Sequence, residues 1–294
     1  PTLELQDPET LHLESYQDAP NCDELNEDIS AQEIFAVIQK AKRNKAVGVD
    51  GIPVEVLCNF TVRQYMVKFF NLCFRTGKVP SDWNTGILQP IVKDPKMDLK
   101  DHNNYRGLMI CAHISKLYSG VINDRLSRWA SENSVLNDEQ NGFQKGRSCI
   151  YSFASIIQTR RLQVLNTYST FVDFSKAYDK ISRNHLWYKL QQIGIRGSIL
   201  RAVQSLYQDV KCQVRINNNL LSDTFAVSNG LKQGCLMSPL LFNLYINDLV
   251  TEMNILNKGI NINGRRVAML LYADDIVLVS NTALDLQMML ILKI

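Results

Sequence analysis

With 294 residues, 46% of them hydrophobic, the chain can bury a substantial core in one large or two smaller lobes. Its seven cysteines (Cys22, Cys58, Cys73, Cys111, Cys149, Cys212 and Cys235) include no Cys-x-x-Cys pair; this excludes a zinc ribbon or disulfide framework and points to a reducing intracellular compartment, cytoplasm or nucleus, while short, charge-interrupted apolar runs exclude a signal peptide and a membrane span. The net charge of +3 conceals an asymmetry, because residues 1 to 33 hold ten acids and no Lys or Arg, leaving 32 basic against 19 acidic residues beyond them, a surplus of 13 that suits a polyanionic partner.

Residues 1 to 29 are acidic, polar and aperiodic, and read as a mobile arm. Ser30 and Glu33 form a capping box, after which Ile34, Val37, Ile38 and Ala41 line one helical face. A basic run, Lys40 to Lys45, and a turn, Gly48 to Gly51, follow. The pattern then predicts a helix over Tyr65 to Phe74, a strand over Gly86 to Lys93, a polar connection over Asp94 to Asn104 and a second strand from Tyr105. Ser115 to Trp129 is amphipathic, with Leu117, Val121, Ile122 and Leu126 inward. Ile150 to Leu165 is likewise helical, with Ile156 and Ile157 inward and Arg160 and Arg161 solvated. A short strand carries Asp173 and breaks into a helix-forming stretch. Two helices come next: His185 to Ile193, closed by Gly194, and Ser198 to Tyr207, with Ile199, Ala202, Val203 and Leu206 on one stripe. A hairpin of Val210 to Ile216 and Thr224 to Val227 turns at Asn217 to Asn219. Strands and helices interleave without regular βαβ repeats, so the class is α+β.

Three segments carry chemistry. In Val267 to Ser280, Asp274 and Asp275 interrupt an apolar, β-prone run, where desolvation and mutual repulsion are both costly. A tight hairpin resolves the conflict by placing the acids at its tip, between Met269 to Tyr272 and Ile276 to Val279; an ordinary polar turn is the plain alternative. Asp173, on its own strand, is a third candidate ligand, and the three together suit two Mg²⁺ ions ~3.5–4 Å apart, an arrangement for phosphoryl transfer. Between them, Gly230 and Gly234 mark a loop that can approach a ligand closely. Ser238 and Pro239 read as N-cap and first residue of a helix that buries Leu240, Leu241, Leu244 and Tyr245.

Phe171-x-Asp173-Phe-x-Lys-Ala-Tyr-Asp179, Gln233-Gly234 before Ser238-Pro239, and Tyr272-Ala-Asp-Asp275 resemble the three palm motifs of reverse transcriptases, in the flavour of non-LTR (LINE-type) retrotransposons. Val79-Pro80, Trp83, Gly86, Pro90-Ile-Val-Lys93, Asn104-Tyr-Arg106-Gly and Gly142-Phe-Gln-Lys-Gly-Arg147-Ser resemble that family's finger motifs in the same order. The resemblance covers roughly residues 44 to 294. It implies a right-hand polymerase with fingers over 30–165 and an antiparallel palm sheet with packed helices over 166–294. The chain reads as a fragment, ending soon after the aspartate hairpin and before the thumb.

The activity so implied is RNA-directed DNA polymerisation on an RNA template and DNA primer, with dNTP substrates. Two Mg²⁺ ions, or Mn²⁺, would be held by Asp173, Asp274 and the Phe174 carbonyl, with Asp275 a secondary ligand. The same resemblance makes Lys93 and Arg106 triphosphate contacts, Tyr178 a gate against the ribose 2′-hydroxyl, and Gln233 and Gly234 the lining of the nascent base pair. Arg147 becomes a contact to nucleic-acid backbone. Asp179 and Asp248 read as structural carboxylates, and the four histidines as surface or packing residues. Gln144-Lys145 departs from the Gly-Phe-Arg pattern of many relatives, which leaves one finger contact open. Three alternatives stand beside this reading: a catalytically inactive nucleic-acid-binding remnant, a group II intron-type reverse transcriptase, and an RNA-dependent RNA polymerase. Tyr178, Tyr272-Ala273 and the finger motifs argue against the last.

Overall fold

The structure is a computed structural model that describes residues 20–144, 146–217, 220–262 and 264–291. In chain order it forms α1 (Ala31–Lys40), α2 (Val54–Leu57), α3 (Phe60–Thr76), β1 (Thr85–Val92), β2 (Tyr105–Ile110), α4 (His113–Glu132), α5 (Cys149–Leu162), β3 (Tyr168–Asp173), α6 (Arg183–Gln192) and α7 (Ser198–Ser205). It continues through β4 (Lys211–Asn217), β5 (Leu220–Leu221), β6 (Phe225–Ala226), α8 (Ser238–Ile255), β7 (Ile260–Ile262), β8 (Arg265–Val267), β9 (Met269–Tyr272), β10 (Asp275–Ser280) and α9 (Ala283–Ile291). The fold is α+β with mostly antiparallel pairing. Two compact units divide it, the first of residues 1–129 and 178–238, the second of residues 130–177 and 239–294. The chain therefore crosses between units three times.

In the first unit the capping box forms: Ser30 Oγ accepts from the Glu33 amide at 3.3 Å, and Glu33 Oε2 accepts from the Ser30 amide at 2.8 Å. Helix α3 runs further than its periodicity predicts, from an Asn59 cap that accepts from the Thr61 amide to Gly77, whose left-handed φ of 65° ends it. Phe70 packs edge-on against Trp83 and Tyr118 in the core, and those two rings lie tilted against each other. Strands β1 and β2 form an antiparallel hairpin. β1 also pairs with β4, in parallel, through Thr85↔Lys211 to Leu88↔Val214. β4 in turn takes β5 and β6 as antiparallel partners, as the expected hairpin requires. Asn218 and Asn219 of its turn lie outside the described residues.

Three expectations in this unit need correction. Of the acidic arm, residues 1–19 lie outside the described residues, but Leu25 and Ile29 are buried, so 20–29 is a packed segment. The stretch after Asp173 is a run of turns, and helix begins only at Arg183, where Ser182 caps it. Ser238 does not cap α8 through its side chain. Its hydroxyl donates to the Lys232 carbonyl at 2.8 Å and meets the Tyr207 hydroxyl at 3.0 Å, so it fastens the preceding loop instead.

The second unit is built on a three-stranded antiparallel sheet, β3-β10-β9. Side chains alternate across it. Ile276, Leu278, Met269 and Leu271 face Val250 and Met253 of α8 and Met289 of α9, while Val277, Val279 and Leu270 face Ile156 of α5. Helix α5 ends at Leu162, short of the expected Leu165. Ile157 proves exposed, and Arg160 is buried rather than solvated, donating to the Asn166 carbonyl and the Thr167 hydroxyl. Its guanidinium closes the segment that leads into β3. No helix among the described residues is long and apolar enough to cross a membrane.

Candidate active site

The aspartate hairpin is the tightest kind a strand pair allows. Tyr272 and Asp275 are register partners, so Ala273 and Asp274 alone make the loop. Asp275 opens β10 and lies directly opposite Asp173, the last residue of β3. Directly opposed residues share a face of the sheet with Cβ atoms about 4.5–5.5 Å apart, so Tyr272, Asp275 and Asp173 form one row across three strands. Asp173 and Asp275 are exposed and Asp274 is half-buried.

This tip is held by a segment for which spacing gave no signal. Glu139 to Asn141 runs beside β9: the Leu271 amide donates to the Glu139 carbonyl at 2.9 Å, and the Asn141 amide to the Leu271 carbonyl at 2.8 Å. The buried Gln140 side chain then reaches into the turn, where its Oε1 accepts from the Gly142 amide at 2.8 Å and the Ala273 amide at 3.2 Å. Ala273 needs such a hold, since its φ of 55° lies in the left-handed region that alanine rarely occupies. A Cβ on Gly142 would lie 2.3 Å from the Ala273 nitrogen, so only glycine fits there. Asn243 of α8 donates to the Gly142 carbonyl at 2.7 Å and fixes the same segment from its other side.

Beside the row lies a cavity of about 590 Å³, floored by Phe171, Ile276 and Val277 and rimmed by Asp173, Asp275 and the N-terminal end of α5. Arg147 belongs to that rim. Its guanidinium is engaged, however, donating to the Asp138 carboxylate at 2.7 Å and the Asp138 carbonyl at 2.8 Å. Together with Arg265, it holds the Asp138 carboxyl below the usual range. Burial pushes the Cys149 thiol up, and the negative charge of Asp275 adds to the effect.

The first unit gathers the other candidates. Lys93 follows β1 directly and donates from Nζ to the Asn103 carbonyl at 3.0 Å, while Arg106 sits on β2 opposite Ile91; both are exposed. The Gln233 carbonyl accepts from the Met109 amide of β2 at 2.7 Å, and Gly234 approaches the Met109 carbonyl so closely that a Cβ would meet it at 2.7 Å. Gln233 Nε2 donates to Asp179 at 2.9 Å, and the Leu231 amide donates to the Tyr178 carbonyl at 2.8 Å. Tyr178, Gln233 and Gly234 therefore share one loop cluster against β2. Asp179 lies on a turn and not on a helix as expected.

The donor chemistry of the hairpin suits a hard cation. Two carboxylates facing each other across neighbouring strands repel unless positive charge is shared between them. Among the described residues, no three His, Cys, Asp or Glu side chains are gathered into a ready cage. Mg²⁺ does not require one, since it is commonly held by one or two carboxylates, waters and substrate phosphates. Asp173 and Asp275, with Asp274 and the Phe174 carbonyl adjoining, provide oxygen donors of that kind.

Comparison with known proteins bears on the same segments. The chain is 25% identical over 261 residues to the probable RNA-directed DNA polymerase from transposon BS of Drosophila melanogaster, covering 85% of this chain and 27% of that protein. It is 24% identical over 257 residues to the retrovirus-related Pol polyprotein from type-1 retrotransposable element R2 of Popillia japonica, covering 86% of this chain and 35% of that protein. The chain thus spans about a quarter to a third of the length of these relatives. Among solved structures, apo telomerase from Candida tropicalis, truncated from its C-terminal domain, aligns at a TM-score of 0.48 with 12% identity, over 71% of this chain and 46% of that one. The family described as "Reverse transcriptase (RNA-dependent DNA polymerase)" matches residues 93–292, about two-thirds of the sequence and every candidate residue named above, and the chain belongs to that family.

Proposed function

We propose that this chain carries the nucleotidyl-transfer centre of an RNA-directed DNA polymerase from a non-LTR retrotransposon, acting on a primer 3′-hydroxyl and a dNTP over an RNA template. The observation that carries the reading is the direct opposition of Asp173 and Asp275 beside the Asp274 turn, in a chain of the reverse transcriptase family. Asp173, Asp274 and the Phe174 carbonyl would hold two Mg²⁺ ions, with Asp275 completing the negative field. When bound, such ions stabilise the attacking and leaving oxygens of an in-line displacement.

The protein's own groups supply the rest. Lys93 and Arg106 neutralise the triphosphate as charge moves onto the leaving pyrophosphate. Tyr178 crowds a ribose 2′-hydroxyl, and Gln233 and Gly234 line the new base pair. Residues 30–165 correspond in this reading to fingers and 166–294 to palm, interleaved in the two compact units. The test is primer extension on an RNA template with Mg²⁺. Extension that Asp173→Asn abolishes supports the reading, whereas extension indifferent to that change overturns it. Duplex binding with no extension would favour an inactive nucleic-acid-binding remnant.

A further inference from the structure

Lys232 directly precedes the two residues assigned to the new base pair, and its side chain turns inward, leaving the residue 5% exposed. Its Nζ donates to the Asn84 side-chain oxygen at 3.1 Å and the Trp83 carbonyl at 3.3 Å, and lies 5.5 Å from the centre of the Tyr207 ring. The other titratable groups facing it are the thiols of Cys111, Cys212 and Cys235 and the guanidinium of Arg183, with no carboxylate among them to offset its charge. Burial pushes the ammonium below the usual lysine range. A methionine would fill the same space without burying a charge, so packing alone does not account for a lysine here. What it joins is informative. Trp83 and Asn84 form the turn that feeds β1, and Asn84 is anchored in turn on the Ser205 carbonyl at 2.8 Å. The next two residues are held to β2, through the Met109 amide that donates to the Gln233 carbonyl and the close approach of Gly234 to the Met109 carbonyl. Since β1 and β2 are one hairpin, three consecutive residues are fixed to the entrance of one strand and the body of the other.

We propose that Lys232 is a positioning residue for nucleotide selection, whose buried amine ties the Gln233–Gly234 loop to the entrance of β1 and so fixes the gap into which the new base pair must fit; this rests on the polymerase reading above. A mismatched pair differs from a matched one in width and shape. A seat that cannot yield therefore penalises the mismatch, whereas a loop free to shift by ~1 Å admits both. The Ser238 hydroxyl, which donates to the Lys232 carbonyl at 2.8 Å, holds the same residue by its main chain, so the amine acts on a loop already fastened at its far end.

Lys232→Met keeps the apolar stem and removes the donors. Single-nucleotide primer extension should show its preference for a matched over a mismatched dNTP falling roughly ten- to a hundredfold, with KM for the matched nucleotide moving more than kcat. Asn84→Ala cuts the same tie from its other end and serves where the lysine variant does not fold. Combined, the two changes should cost little more selectivity than either alone, because each removes one shared contact. Hydrogen exchange at the Met109 amide needs no catalysis, and should quicken in either variant as the loop loosens. Unchanged selectivity in variants of a protein that extends primers, or fully additive losses, overturns the positioning role and leaves the polymerase reading standing. Exchange at the parent rate in both variants overturns the tie itself. A parent chain that adds no nucleotide overturns the polymerase reading and the base-pair role with it.

Discussion

Replacing Arg125 by Met should destabilise the first unit by about 3–5 kcal/mol at pH 7, the scale for breaking a buried ion pair from one side. The Arg125 side chain is 7% exposed and makes two bonds to Glu33, at 2.6 and 2.9 Å. It also donates to the carbonyls of Leu25, Glu27 and Asp28 and lies over the Phe74 ring. Methionine keeps the apolar stem but leaves a carboxylate and three carbonyls without their donor. Burial alone would push the Glu33 carboxyl up; the bonds from Arg125 and Ser30 outweigh it and bring it down to about 2, from 4.5. A depressed folded pKa gives stability that is full above 4.5 and is lost as pH falls toward 2. That shift corresponds to about 3 kcal/mol, of which about 2 kcal/mol is gone by pH 3. The variant keeps only the Ser30 bonds, so its stability should fall less on acidification and the gap from the parent should narrow. Urea unfolding followed by tryptophan fluorescence reads this unit selectively, because Trp83, Trp129 and Trp187 all lie in it. A gap under about 1 kcal/mol at pH 7, or one equal at pH 7 and pH 3, would refute the reasoning.

Asp173→Asn should raise the thermal stability of the second unit slightly, by up to about 1 kcal/mol, by relieving the like-charge pair with Asp275; calorimetry showing a loss instead would mean the repulsion is already compensated. Gly142→Ala should cost several kcal/mol and nucleotide addition together, since the added methyl meets backbone that cannot yield, and an unchanged melting temperature would contradict the turn's rigidity. Tyr178→Ala should raise incorporation of ribonucleotides relative to deoxynucleotides. Equal discrimination before and after would make Tyr178 a packing residue.

The features legible in the sequence are those whose causes are local. Ser30 with Glu33 predicts its own cap, and the apolar run broken at Asp274 and Asp275 predicts a tight hairpin, because both depend on neighbours within a few positions; the turn is one residue shorter than expected, since Asp275 opens β10 and of the two acids only Asp274 stays at the tip. Arg125 illustrates the opposite case. On a helix it reads as one more surface cation, and only the return of residues 25–33 gives it five acceptors. Arg160 and Ile157 exchange expected roles because helical periodicity sets the angle between side chains without saying which face meets the sheet. Gln140 was invisible as a site residue for a related reason. A glutamine before Asn-Gly looks like solvent-facing turn chemistry, and the amides that donate to it lie more than a hundred residues downstream as well as next door. The helix expected after Asp173 lost to contacts of the same long-range kind, since Tyr178 and Ile181 are bonded to the Gly230 loop.

The parallel pairing of β1 with β4 joins Thr85 to Lys211 across about 125 residues, and the second unit is likewise split between 130–177 and 239–294. During synthesis, then, β1 and β2 emerge as a hairpin with one edge unclaimed. That edge stays open while the ribosome adds more than a third of the chain, at ~5–20 residues per second, before β4 arrives to cover it. Non-local closure of this kind slows folding, and an exposed strand edge invites pairing with other chains. Neither unit can be expressed from one contiguous stretch of coding sequence, and a chain stalled between residues 110 and 211 would present β1 as a template for association rather than as part of a folded protein.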